Sequence, residues 1–488
     1  YFAGGYVVGF RHDGKHHVPT IEKPRLDPVP IDPKRQSTFV KTIAEENVPS
    51  LTPRWVVPER DFETAKTGGV TVYAAKNRLN ELFKLSIVIP IGLRHDKRLQ
   101  LAERLLGKSG AGERSAEETA QAWYRLGTDF RIEVGDNETR FVIEGLDHRL
   151  EESLALAEEL IRSPNASDDT LAGLVKILRS QRTDSRKDQK VVESALQLFS
   201  RYGNKSAYLA RLPMSEVEKL TTSELTGVMR SILTTRHRVS YTGPRPLAGV
   251  VSLLDKHHRP GDATAVPPAP VRLKMATPMA TEIRFIHLPM AQALVRIEQV
   301  DGIYNPELFP EVELYNNYFA GGMNGIVFQE LRESRALAYT AQARYMTGGR
   351  KGDENVMLGR IGTQADKTVD AVKAFLDLLD NMPQSESRFG PAKQGVITAY
   401  QTTRVGFRRV LDRVQSWEKL GVSIDPREQW YTKGQTLGLA NIVAFHKSHL
   451  ANKPKLISIV GDQSKIDLDK LKEIGPVTIL TADDIIRL

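Results

Sequence analysis

The chain has 488 residues, 40% of them hydrophobic and 26% charged, with 68 lysines and arginines against 60 acids for a formal charge of +8. This length predicts roughly two to four domains of an ordinary globular protein, and the absence of cysteine excludes disulfides, thiol nucleophiles and thiolate zinc sites. The small surplus of positive charge, with no basic stripe interleaved with aromatics, argues against nucleic acid as a partner, and the longest apolar run, SIVIPIGL at residues 86–93, falls far short of the ~20 residues that cross a bilayer.

In chain order, residues 1–40 begin with YVVG (6–9), an alternating strand stopped by glycine, and continue into a tract with four prolines in twelve residues, KPRLDPVPIDPK (23–34). This region reads as the tail strand of a preceding domain followed by an extended linker. The first full domain, 41–250, has a strand at 84–91, a helix at 98–106, the turn GKSGAG at 107–112 and a helix at 116–126. Two alternating strands follow, RIEV and RFVIEG, then a long amphipathic helix at 148–161. The basic stretch RSQRTDSRKDQK (179–190) reads as a solvated helix face, and VSYTG (239–243) closes the domain as a strand. A second proline-rich linker covers 251–280. The second domain, 281–488, repeats the order with a strand at 283–289, a helix at 306–318, the turn AGGMNG, a helix at 326–333, two strands, a helix at 368–379 and the closing strand ISIVG (457–461). Gly9, Gly243 and Gly461 end three such strands at intervals of 234 and 218 residues, the mark of a duplicated domain. Helices following alternating strands predict an α+β fold of two homologous α/β sandwich domains, each a mostly antiparallel sheet with helices on one face.

Chemistry is sparse. His12 and His16 fall in a linker-like stretch, His446 and His449 share a helix with no carboxylate nearby in sequence, and His148 opens H-x-x-E-E, which lacks the second imidazole of a zinc motif. No G-x-S-x-G elbow, Walker loop or dinucleotide fingerprint occurs. GKSGAG follows a helix rather than a strand and reads as a helix–helix turn.

One stretch stands apart. FAGGMNGIVFQELRESRALAYTAQARY, from Phe319, resembles the glycine-rich loop and L-R-E-x-x-G-L-A-Y segment of the pitrilysin/insulysin-type zinc metallopeptidases, which include the mitochondrial processing peptidases. The family pairs two homologous halves in a clamshell around peptide, and the resemblance is to the half without zinc. It implies that Gly321, Gly322, Asn324 and Gly325 line a peptide chamber, and that Arg332 and Tyr339 stabilise the transition state at the partner's active site. The helix matching the family's metal helix reads QLAER. Glu103 occupies the glutamate position, but Gln100 and Arg104 replace the two histidines, and arginine has no lone pair for a metal. No cofactor is therefore expected in this chain; zinc is expected in an H-x-x-E-H partner half, from the same precursor or a separate subunit. The family's glycine before L-A-Y is Ala336 here. If that position needs positive φ, alanine is strained there. The helix is expected to end near Ser334, with a strand beginning close by. The alternative function is a catalytically inactive scaffold or peptide-binding subunit of the same fold. Lack of cysteine fits either the cytoplasm or an exported protein; together with the resemblance, which includes relatives in bacterial envelopes, it implies the periplasm or cell envelope, with mitochondrial or cytoplasmic placement as the alternatives.

Overall fold

The computed structural model describes residues 4–10, 12, 14, 37–46, 49 and 51–488, in two units, 1–50 and 51–488. In the first unit the described structure is a helix, Thr38–Glu45, on which the Thr42 hydroxyl donates to the Thr38 carbonyl at 3.0 Å. Residues 5–10 form no strand, and Tyr6, Val7 and Val8 are exposed. Among the described residues nothing neighbours this segment to take the backbone hydrogen bonds of a strand. The tract at 23–34 lies outside the described residues.

The second unit is built on two six-stranded sheets. The strands of the first are β1 (Glu63–Thr67), β2 (Val70–Lys76), β3 (Leu82–Ile89), β4 (Asp129–Val134), β5 (Thr139–Leu146) and β6 (His237–Gly243), in the order β1-β2-β6-β3-β5-β4. Those of the second are β7 (Glu282–His287), β8 (Gln292–Ile303), β9 (Thr340–Met346), β10 (Glu354–Gln364), β11 (Leu456–Gly461) and β12 (Val477–Leu480), in the order β9-β10-β8-β11-β7-β12. Five strands correspond one to one. β2 and β6 run parallel, as do β7 and β11; the remaining pairs among these five strands are antiparallel in both sheets. Only the outer strands differ, β1 joining antiparallel and β12 parallel. The counterpart of β3 is therefore β8 and not the strand at 283–289. β8 was hard to read because Arg296 and Glu298 interrupt its apolar pattern.

Each sheet buries one face under its own helices. Leu99–Leu106, Leu150–Arg162 and Thr222–Ile232 close the first core around Leu85, Phe141 and Val239. Phe309–Ala320, Thr368–Asp380 and Leu439–His449 close the second around Phe285, Val295 and Ile459. The opposite faces are covered by exchange. Helix Gln189–Tyr202 sets Val192, Ala195 and Leu196 against Ile286 and Val460 of the second sheet, while helix Phe407–Lys419 sets Val410, Leu411, Val414 and Trp417 against Ala75 of the first. Alternation makes this possible: Phe285 faces its own core and Ile286 the visiting helix.

Buried ion pairs fasten both exchanges. Glu298, 2% exposed, takes Arg201 Nε at 2.9 Å on Oε2, and Glu193 binds Arg296 and Arg360. On the other side Glu138 receives Arg140 at 2.7 Å and Arg238 and Lys419 at 2.9 Å. Burial pushes the Glu138 carboxyl up, but hydrogen bonds from Arg140 and Lys419 overcome this and hold it at about 2, below its ordinary 4.5. The contribution is therefore complete above about pH 4.5 and is lost as pH falls towards 2, a loss of about 3 kcal/mol. Urea unfolding followed through that window should show the decline in wild type, and Glu138→Gln should flatten it.

The tract at 257–278 starts at the end of a π-helical turn, Leu254–His258, passes through a 3-10 turn, Pro260–Asp262, and is then irregular but pinned. Val271 N donates to Asn137 Oδ1 at 2.7 Å, and Ala265 pairs with residues 234 and 236.

Candidate functional site

Helix Phe309–Ala320 ends where Gly321 comes so close to the preceding turn that a Cβ would lie 2.1 Å from the Asn317 carbonyl oxygen. Gly322 follows at φ +59°, in the left-handed region that favours glycine. Gly322, Met323 and Asn324 are exposed and Gly325 is buried. The Gln329 amide donates to the Met323 carbonyl at 2.5 Å and fixes the loop from behind.

The chain then re-enters a helix, Ile326–Phe328, which widens into a π-helical turn, Gln329–Ser334, anchored by buried Leu331. Leu337 N closes it onto the Leu331 carbonyl at 2.9 Å. Ala336 sits at φ +48°. The left-handed turn is kept despite the loss of glycine, with the steric cost of a Cβ. Ala336→Gly is expected to raise stability by about 0.5–1 kcal/mol, measured as a shift in the urea midpoint with unchanged slope.

Tyr339 N donates to the Gly362 carbonyl at 2.9 Å, and the Thr363 hydroxyl donates to the Leu337 carbonyl at 2.6 Å. These bonds fix the entry into β9 and leave the Tyr339 ring 74% exposed. Arg332 reaches the same place from the π-helical turn. Its guanidinium lies 4.8 Å from the Phe328 ring centre and 5.4 Å from that of Tyr339. Among the described residues its one ionic contact, 3.5 Å to Glu333, is exposed and weak, and no side-chain hydrogen bond occupies the Tyr339 hydroxyl. The two residues thus form one exposed pair of hydrogen-bond donors.

The corresponding loop in the first sheet's domain is closed. Gly110 and Ala111 are buried and pair with Pro164 and Asn165, and Ala111 N is held by the Thr119 hydroxyl at 3.0 Å. On the preceding helix, Arg104 Nη1 donates to Gln181 Oε1 at 2.9 Å, and burial raises the Glu103 carboxyl against the lowering effect of Arg104. Gln100, Glu103 and Arg104 do not fit a zinc ion. Among the described residues no group of three His, Asp or Glu could hold a metal.

Two polar clusters escaped the sequence. His237 and His258 meet through their Nε2 atoms at 2.7 Å, and His258 Nδ1 meets Glu158 at 2.5 Å. Burial, then the neighbouring His258, lowers His237 to about 4. The two ring nitrogens are close enough to share a proton. In the second cluster, His449 Nδ1, the Tyr345 hydroxyl and Lys453 converge on Asp301 at 2.5–2.9 Å. Both assemble from distant segments, and no motif brings Asp301 to Tyr345 and His449, or His237 to His258.

No curated protein matches the sequence. Residues 242–394 match the family described as the peptidase M16 inactive domain. Among solved structures, a peptidase M16 inactive domain from Pseudomonas fluorescens is 17% identical, with a TM-score of 0.66 over 83% of this chain and 99% of that one. The periplasmic protease PqqL from Escherichia coli is 14% identical, with a TM-score of 0.64 over 90% of this chain and 49% of its own. The ferredoxin protease FusC, solved in complex with Arabidopsis ferredoxin, is 14% identical, with a TM-score of 0.66 over 91% and 49%. The chain thus spans about half the length of the last two. These likenesses establish the shared fold. Residues 242–394 thus match the peptidase M16 inactive domain, and the chain as a whole shares the fold of solved structures of that kind.

Proposed function

We propose that this chain is the non-catalytic half of a two-half zinc metalloendopeptidase. It encloses a peptide against an H-x-x-E-H partner half, and Gly321, Gly322, Asn324 and Gly325 line the chamber. Arg332 and Tyr339 donate to the peptide carbonyl oxygen as it becomes an oxyanion. The metal chemistry belongs to the partner; this chain supplies positioned donors. The observation that carries the reading is the placement of Arg332 over the Tyr339 ring at 5.4 Å, both exposed beside an open loop. Such donors act where charge develops only in the transition state. The FusC–ferredoxin complex supports a polypeptide ligand for this fold, and the periplasmic PqqL supports placement in the cell envelope. Among the described residues no helix is long and apolar enough to cross a membrane.

The test is reconstitution. The H-x-x-E-H half is assayed for peptide hydrolysis alone and with this chain added. Hydrolysis that requires the chain supports the proposal. Full activity without it, or a stable but inactive pair, favours the scaffold.

A further inference from the structure

The stretch at 179–190 is not simply a solvated face. Arg182, on helix Asp168–Ser185, is 2% exposed and has no acidic partner among the described residues. Its Nη1 donates to the Leu212 carbonyl at 2.7 Å, and its Nε has no partner among the described residues. Burial, then repulsion from Arg211, Arg104 and Arg487, brings it down to about 10. Arg211 is also lowered, chiefly by burial; its Nε donates to the Tyr208 carbonyl at 2.8 Å while its Nη2 is left buried and unpartnered. Arg186 does have an acid, Asp483 at 2.7 Å, yet its Nε is also unpartnered. A buried guanidinium without a counter-ion is costly, so Arg182, with the partly buried Arg211 beside it, calls for an anion.

A cavity of about 800 Å³ adjoins this cluster. Among the described residues, four lining cations, Lys97, Lys205, Arg211 and Arg487, have no acidic partner, and the one lining acid, Asp136, is engaged by Arg94 at 2.8 Å. The remaining wall is largely apolar, with Leu198, Leu209 and Leu273 beside the rings of Tyr202 and Tyr208. Gln100 also lines it, so the position where the resemblance places a metal-binding histidine offers an amide donor instead. Size, apolar walls and a few convergent polar groups are the features of a small-ligand pocket.

We propose that this cavity binds an organic anion, a carboxylate carried on an apolar body. The carboxylate pairs with the guanidinium groups of Arg211 and Arg487; the apolar part lies against Leu198, Leu209 and Leu273. The site shares no residue with the Arg332–Tyr339 patch and stands independently of the function proposed above. The carboxylate has two possible sources, a free aliphatic acid or the C-terminus of a peptide ending in an apolar residue.

Calorimetric titration of the full chain separates them. The probes are decanoate against decanol, and an acetylated peptide ending in leucine against its C-terminal amide. At least one acid should bind about tenfold more tightly than its neutral counterpart, the value of a charge-assisted hydrogen bond, and should weaken as salt is raised. Arg211→Gln combined with Arg487→Gln should remove that preference, Arg211→Lys should restore part of it, and Arg408→Gln, on an exposed helix face elsewhere, should change nothing. Preference for decanoate alone assigns the free acid; preference for the peptide acid alone assigns the chain end. If neither acid is preferred, or the Arg211/Arg487 double variant, folded by its melting curve, binds as wild type does, the proposal is overturned.

Discussion

In the assembled two-half enzyme, Tyr339→Phe and Arg332→Ala are each expected to lower kcat by about 10²–10³-fold, roughly 3–4 kcal/mol of transition-state stabilisation, while KM changes little. The reason is geometric. Tyr339 is 74% exposed and Arg332 rests on the faces of Phe328 and Tyr339 rather than in the core. Neither side chain holds the fold together, so Tm should stay near that of wild type. A residue that merely packed or capped would show the opposite split, a lower Tm with near-normal turnover. Measuring kcat, KM and Tm on the same preparations distinguishes the two, and unchanged turnover in well-folded variants removes the pair from the mechanism.

The largest expected loss of stability lies where helix Gln189–Tyr202 crosses onto the second sheet. Arg201→Met leaves Glu298 buried with Gln197 as its remaining side-chain donor, a change expected to cost about 3–5 kcal/mol. Adding Glu298→Met should recover most of that loss, because two apolar side chains replace a pair whose desolvation nearly cancels its attraction. Urea unfolding of the two single variants and the double variant measures the coupling. A double variant as unstable as Arg201→Met alone would show that the helix is held by its apolar face, through Val192, Ala195 and Leu196, and not by this pair.

Much of this arrangement was legible in the sequence. The helix at 116–126 is bounded by a Ser115–Glu118 capping box and by Gly127 at φ +62°, both local signals. The glycine loop, the helix end at Ser334 and the strand from Thr340 were read from composition and alternation, and Arg332 and Tyr339 meet although a turn separates them. The exchange of helices 189–202 and 407–419 was not legible. Their apolar stripes show that they pack, but not on which sheet. Strand β8 was obscured for the same reason: Arg296 and Glu298 look like surface residues until a helix about a hundred positions earlier supplies Glu193 and Arg201. Arg182 was read as solvated because nothing nearby in sequence shows that the segments around Leu212 and Arg487 fold over it.

The central claim, that the glycine loop faces peptide inside a two-half chamber, is tested most directly at Met323, which is 72% exposed. The chain has no cysteine, so Met323→Cys introduces a single thiol at the loop tip. Its rate of maleimide modification is measured in the chain alone, with the H-x-x-E-H half, and with that half plus a saturating peptide that is bound but not cleaved. The account predicts rapid modification in the free chain, slower modification on pairing, and strong protection when peptide is added. A thiol that reacts at the same rate in all three conditions, in a pair that has demonstrably formed and bound peptide, would contradict it.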